Sequence, residues 1–180
     1  MKTVIYAEKF FLTSGVEGPG YLDVSNGVFG KLTKEKPNDT TEVIDYTGKW
    51  IAPGLVDTHI HGFKNNDVMD NNADGIKQMS EDLLSCGVTS FLPTTLTSGR
   101  DELTAVAKTI GEVYQDVKGA KIQGIYFEGP FFTEEYKGAQ NPGYFSDPSL
   151  DIFNEWQEAS GGIIKKIALA PERDGVSEFV

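Results

Sequence analysis

Asp57, His59 and His61 fall on alternate positions of an apolar run at 55–62, directly after Pro53 and Gly54, and they include both histidines of the chain. Side chains on a strand alternate between faces, so these three point the same way. Two imidazoles at that spacing can reach one metal ion together, and a carboxylate two residues earlier can orient one of them. A His-X-His pair alone fits a strand with ordinary hydrogen-bonded histidines equally well. The elements around it must decide.

The first fifty residues hold short β-prone runs at 3–7, 20–24, 28–32 and 42–45, with Ser25, Asn26 and Gly27 supplying a hairpin turn and a polar loop at 33–41. Such runs form a small β layer, too few to bury both faces alone. After Pro53 the rhythm changes to alternating strands and helices. A strand at 55–61 leads through a polar loop at 64–72 into a helix capped by Asn72, carrying Ile76, Met79, Leu83 and Leu84 at helical spacing and ending at Gly87. The next strand, 88–93, closes in Thr94, Thr95, Thr97 and Ser98, and Leu103, Val106, Ile110, Val113 and Val117 mark a second amphipathic helix stopping near Gly119. A third strand spans 122–127. Leu150, Phe153 and Trp156 give a third helix, a fourth strand runs over 163–170, and another helix begins at 177–180.

Glu128 stands where the third strand ends, because Gly129 and Pro130 cannot continue regular pairing. Its carboxylate is thereby placed on a strand's C-terminal rim. The stretch 131–147 has little periodicity, and loops of that length are usually functional or disordered; the reading here is a substrate-facing loop. Thr94 and Thr95 read as a polar rim rather than ligand contacts, Phe131 and Phe132 as packing, and Lys137 as an exposed lysine.

Four strands rich in Val, Ile and Leu, separated by helices, predict a parallel α/β sheet. No Gly-rich phosphate turn follows any strand, which argues against a dinucleotide or P-loop site. A (β/α)8 barrel instead puts its chemistry on the C-terminal strand ends, where His59, His61 and Glu128 all occur. A full barrel takes roughly 250 residues. The expected architecture is therefore a partial (β/α)8 TIM-like barrel of four βα units at 52–180, preceded by a small N-terminal β segment at 1–51.

The net charge of −11, with no long basic run to offset it, argues against nucleic acid or an anionic membrane surface as the main partner. Cys86 is the single cysteine, so no intrachain disulfide can form, which suits a reducing cytoplasm. It is expected to pack in the core. The apolar stretch after Lys2 is soon interrupted by Glu8 and Lys9, too short for a signal sequence or membrane span. A soluble cytoplasmic protein is the expectation.

The run Ala52, Pro53, Gly54, Leu55, Val56, Asp57, Thr58, His59, Ile60, His61, Gly62 resembles the first-strand signature of the amidohydrolase superfamily. Gly124 through Glu128, Gly129, Pro130 and Phe131, followed by Lys137, Gly138, Ala139, Gln140, Asn141 and Pro142, resembles a narrower group, the N-acetylglucosamine-6-phosphate deacetylases. The resemblance covers the whole chain and the first half of such an enzyme. It implies a divalent metal, zinc or iron, as one or two ions held by His59, His61 and Glu128. Glu128 holds the more catalytic position and the two histidines add a second. A glutamate at 128 favours the deacetylase branch over relatives that bridge with a modified lysine.

The resemblance further implies that the main chain at Ala139 contacts an amino-sugar phosphate substrate, while Gln140 stands where histidine is common and puts a side-chain contact there in doubt. Asp57, deeper along the strand, is read as a supporting carboxylate rather than a ligand. The general acid/base aspartate and the remaining histidines are expected beyond Val180, so no catalytic proton-transfer residue is assigned within this chain. The isolated 180 residues are then expected to be inactive and to expose two strand edges, with a homodimer formed at full length. Two rival readings stand beside this one: an amidohydrolase acting on a cyclic amide, dihydroorotase-like, and a non-catalytic metal-binding fragment.

Overall fold

Asn26 and Gly27, with φ of 53° and 74°, reverse the chain between Ser25 and Val28 in the computed structural model, which describes residues 3–180. Positive φ at both central positions matches the twist of the flanking strands, and Asn-Gly adopts it at little steric cost. The surrounding sheet comprises β1 (Thr3–Leu12), β2 (Gly15–Glu17), β3 (Gly20–Ser25), β4 (Val28–Thr33) and β5 (Glu42–Ile51). β1 pairs antiparallel with β2 and β3, and parallel with β5. β1 and β5 each run to ten residues, longer than their β-prone runs, because they pair with one another past a bulge between Ala7 and Lys9. Tertiary pairing carries Glu8 and Lys9 into a strand that propensity alone would have ended. Ala7, Phe10 and Leu22 form the buried centre of this unit, which ends at Pro53.

The second compact unit, Gly54–Val180, alternates strand and helix. Its elements in order are β6 (Leu55–Ile60), the short hairpin β7 (Gly62–Phe63) and β8 (Asn66–Asp67), α1 (Ala73–Leu83) and β9 (Val88–Thr95). Then follow α2 (Arg100–Val113), β10 (Lys121–Ile122), β11 (Ile125–Glu128), α3 (Leu150–Ala159), β12 (Ile164–Ala168) and α4 (Val176–Phe179). β9 lies between β6 on one side and β10 and β11 on the other, and β12 pairs with β11; every pairing is parallel. Strand order in space thus follows strand order in sequence, with a helix after each step, the α/β arrangement expected from right-handed crossovers.

Local signals explain most boundaries. The Asn72 side chain accepts from the N–H groups of Asp74 and Gly75, capping α1, and Ser149 does the same for α3 through Ile152 N–H. The apolar stripes of α1 (Ile76, Met79, Leu83) and α2 (Leu103, Val106, Ile110, Val113) pack with Phe91, Ile122, Ile125, Phe127 and Trp156 in one buried cluster. Trp156 also donates its indole N–H to the Arg100 carbonyl at 3.3 Å, joining α3 to the start of α2.

Four local expectations need correction. The third strand is broken at Gln123 and Gly124, whose neighbours bond to different partners: Gln123 N–H to Phe91 O and Ile125 N–H to Ile163 O. α2 stops at Val113, and the expected loop at 64–72 holds a strand and a 3-10 turn, Val68–Asp70. Cys86 is exposed rather than core. It lies with Leu84, itself exposed, in the 3-10 turn Leu84–Cys86, whose tighter winding rotates both off the apolar stripe of α1. Among the described residues, no helix is long and apolar enough to cross a membrane.

Candidate metal centre

β6 departs from regular pairing as it reaches the rim. Its register with β9 shifts between Asp57 and Ile60, and Ile60 N–H donates to the Thr94 hydroxyl at 3.0 Å instead of to a carbonyl. That hydroxyl donates in turn to Leu92 O at 3.0 Å. One residue further, His61 Nδ1 lies 3.1 Å from Thr94 O. A carbonyl oxygen can only accept, so Nδ1 carries the proton and the neutral ring presents an unprotonated Nε2. The second strand thus sets both the position and the tautomer of His61.

His59 is placed differently. Asp57 Oδ1 accepts the His59 backbone N–H at 3.0 Å, so this carboxylate shapes the chain's path and does not touch the imidazole. The ring packs edge-on against Tyr126, centroids 5.0 Å apart and planes at 77°. Lys166 Nζ lies 3.8 Å from the centroid of the Tyr126 ring, within cation–π range. Burial, with the nearby Glu128 charge, raises the Tyr126 hydroxyl above its ordinary value of 10.0. Tyr126 and Glu128 share a face of β11 by strand alternation, and Tyr126 was not singled out in the sequence although that spacing was readable.

The C-terminal end of β11 delivers Glu128 to the two histidines. His59 Nε2 is 3.4 Å and His61 Nε2 3.1 Å from its carboxylate oxygens, and the two ring nitrogens are 3.2 Å apart. Ligand atoms about 2.0–2.1 Å from one tetrahedral zinc are separated by roughly 3.3 Å; the two imidazole nitrogens have that spacing, and each is at a comparable distance from one of the two Glu128 oxygens, Oε1 for His59 and Oε2 for His61. Among the described residues this is the group of histidine, cysteine and acidic side chains disposed for a metal. Two imidazole nitrogens and a carboxylate oxygen suit a divalent transition ion. The cluster therefore fits the group that the resemblance implies.

The loop after β11 completes the surroundings. Gly129, at φ +90°, turns the chain where a Cβ would lie 2.2 Å from Thr97 Oγ1. Phe131 is fully buried and stacks on Trp156 with centroids 5.8 Å apart, whereas Phe132 turns to the cleft and meets Phe145 edge-on. The two adjacent phenylalanines thus do different work. Arg173 ties the loop down through Phe132 O and the Asp147 carboxylate. The cleft has a volume of about 590 Å³ and is walled by the three candidate ligands together with Leu96, Phe132, Lys137 and Ala139. Lys137 is turned inward, donating to Gln140 O at 3.3 Å. Gln140 reaches the site with its side chain: Nε2 donates to Glu128 Oε2 at 3.0 Å, and Oε1 accepts Thr97 N–H at 3.0 Å.

Comparison with known proteins places this geometry in context. Residues 50–177 match the amidohydrolase family. The chain is 37% identical over 131 residues to an N-acetylglucosamine-6-phosphate deacetylase of Vibrio furnissii, covering 72% of this chain and 33% of the relative. It is 30% identical over 181 aligned positions to an N-acetylgalactosamine-6-phosphate deacetylase of Escherichia coli O157:H7, covering 100% of this chain and 47% of the relative. In structure it is similar to an N-acetylglucosamine-6-phosphate deacetylase of Pasteurella multocida, with a TM-score of 0.85 and 21% identity over 100% of this chain and 47% of that one. The chain spans a third to about half the length of these relatives. With most of its residues matched, and with His59, His61 and Glu128 inside the matched region, the chain belongs to the amidohydrolase family.

Proposed function

We propose that this chain carries the metal-binding portion of a deacetylase that hydrolyses N-acetylglucosamine 6-phosphate to glucosamine 6-phosphate and acetate. The observation that carries the reading is the convergence of His59, His61 and Glu128 within 4.8 Å at the mouth of a cleft large enough for a monosaccharide. The names of the relatives supply the substrate class.

In this reading His59, His61 and Glu128 hold a divalent ion, zinc or iron. Such an ion, when bound, lowers the pKa of water and polarises the acetamide carbonyl. Thr94 O holds the His61 proton on Nδ1 and keeps Nε2 available. Asp57 fixes the bend of chain that presents His59. The main chain at Ala139 lines the cleft and is assigned to the sugar, and Leu96 and Phe132 give it an apolar wall that limits water around the reacting amide. Proton transfer to the departing amine needs a separate acid/base group. Among the described residues the cleft contains no carboxylate besides Glu128 and no histidine besides His59 and His61. Following the resemblance, that group is assigned to an aspartate outside these 180 residues, and the chain alone is proposed to be inactive.

The parallel sheet is read as four of the eight strands of a (β/α)8 barrel. Sequential strand order supports this, as does β6, whose Leu55 and Val56 are 61% and 62% exposed on a sheet edge. Apolar side chains on an unpaired edge strand call for a further strand beside them.

The 4-epimer, N-acetylgalactosamine 6-phosphate, is the second reading, favoured by the alignment of the galactosamine deacetylase along the whole chain. Acetate release from both hexosamine phosphates by the protein completed to the length of its relatives separates the two. No acetate from either, with ring opening of a cyclic amide instead, would overturn both.

A further inference from the structure

The side chain of Gln140 joins three parts of the site that are far apart in sequence, and no other side chain of the 131–147 loop contacts a candidate ligand among the hydrogen bonds of the described residues. Thr97 lies just beyond β9, Glu128 ends β11, and Gln140 comes from the loop between β11 and α3. Thr97 contributes a backbone N–H, which can only donate, so the amide oxygen of Gln140 must face it. The amide NH2 is then obliged to face Glu128, whose ionised carboxylate can only accept. The orientation is self-consistent at both ends.

We propose that Gln140 is a positioning residue that locks the rotamer of Glu128 for metal binding. Oε2 of Glu128 accepts the Gln140 hydrogen bond and sits 3.1 Å from His61 Nε2, while Oε1 is 3.4 Å from His59 Nε2. A glutamate has three rotatable bonds, and the Glu128 side chain keeps about a fifth of its surface exposed. Without a donor on its outer side it is free to swing into the cleft. Gln140 supplies that donor without adding a positive charge, which would compete with a cation for the same carboxylate. The second bond, to the Thr97 N–H just beyond β9, ties the amide to the rim of the sheet. Lys137, bonded to the Gln140 carbonyl, closes the same turn of chain.

This inference rests on the metal reading above, and the experiment separates the two. Zinc affinity of the purified chain is measured by competition with a chromophoric chelator for wild type, Glu128→Gln and Gln140→Met. The methionine variant keeps the length and bulk of the side chain and removes both hydrogen bonds. Gln140→Met is expected to weaken zinc binding by roughly ten- to hundredfold, with an unchanged metal-free circular dichroism spectrum. The Thr97 N–H is bonded to the Gln140 side chain, while the Thr97 hydroxyl reaches the Glu128 carbonyl; the Thr97 amide resonance is expected to shift on zinc addition in wild type and to shift markedly less in Gln140→Met. Equal zinc affinity of wild type and Gln140→Met, or a Thr97 amide indifferent to zinc in wild type, overturns the lock while leaving the metal site standing. Absence of zinc binding by wild type overturns the metal reading and the lock together.

Discussion

His61 Nδ1 donates to the carbonyl oxygen of Thr94 at 3.1 Å, and this one bond between β9 and the end of β6 decides which ring nitrogen of His61 can meet a metal. Nε2, left without a proton in the neutral ring, lies 3.1 Å from Glu128. Nitrogen NMR of labelled protein at pH 8 is expected to show His61 as the Nδ1–H tautomer before metal is added, with the Nε2 signal moving on zinc addition. An Nε2–H tautomer would contradict this assignment.

Thr94 supports the same rim through its side chain. Thr94→Val keeps the volume but removes the acceptor for Ile60 N–H in a fully buried position. An unsatisfied buried N–H costs about 1–3 kcal/mol. Urea unfolding should show a loss in that range. Zinc affinity should fall as well, because the residue freed is the neighbour of His61.

Gly129→Ala tests the turn that aims Glu128. A Cβ there would meet Thr97 Oγ1 at 2.2 Å, on a backbone with φ +90° that side-chain-bearing residues rarely adopt. Strain of this kind costs roughly 1–3 kcal/mol. The variant should unfold at lower urea and lose zinc affinity together, whereas Gly138→Ala, where the Cβ meets nothing within 4 Å, should leave the clash term out.

Acid should loosen the contact between α2 and α3. The Glu155 carboxyl is held below its ordinary value of 4.5 first by its hydrogen bond from Arg100 and then by that from Thr104. Because the folded value is the lower one, this stabilisation is present above the unfolded value and is lost as pH falls through the folded one. The urea midpoint of Glu155→Gln is therefore expected to fall less steeply than that of wild type between about pH 5 and pH 3. Glu172 and Asp116 shift in the same direction, so the variant keeps part of the slope.

The hydrophobic period after Pro53 carried most of the fold. Ile76, Met79 and Leu83 on one helix and Leu103, Val106, Ile110 and Val113 on the next reach the core that their spacing predicts, and Asn72 caps where a polar acceptor precedes a helical run. What could not be read locally was set by distant partners. β1 and β5 outrun their β-prone residues because each extends the other. Leu84 and Cys86 continue a helical pattern in sequence but leave it in space, since a 3-10 turn changes the angle per residue.

The same distinction holds at the site. His59, His61 and Glu128 were legible because strand alternation and a Gly-Pro stop place them on one rim. The supporting bonds were not. That Asp57 meets a backbone N–H rather than an imidazole, that Thr94 chooses the His61 tautomer and that Gln140 bridges Thr97 to Glu128 all depend on which strand lies beside which. Nothing in the spacing of residues 97 and 140 announces that they meet.

The most direct test is anomalous diffraction at the zinc absorption edge from crystals of this chain grown with zinc. A peak about 2.0–2.3 Å from His59 Nε2, His61 Nε2 and a Glu128 carboxylate oxygen is expected. Zinc held by other side chains, or these three left without it while zinc is bound elsewhere, would contradict the assignment.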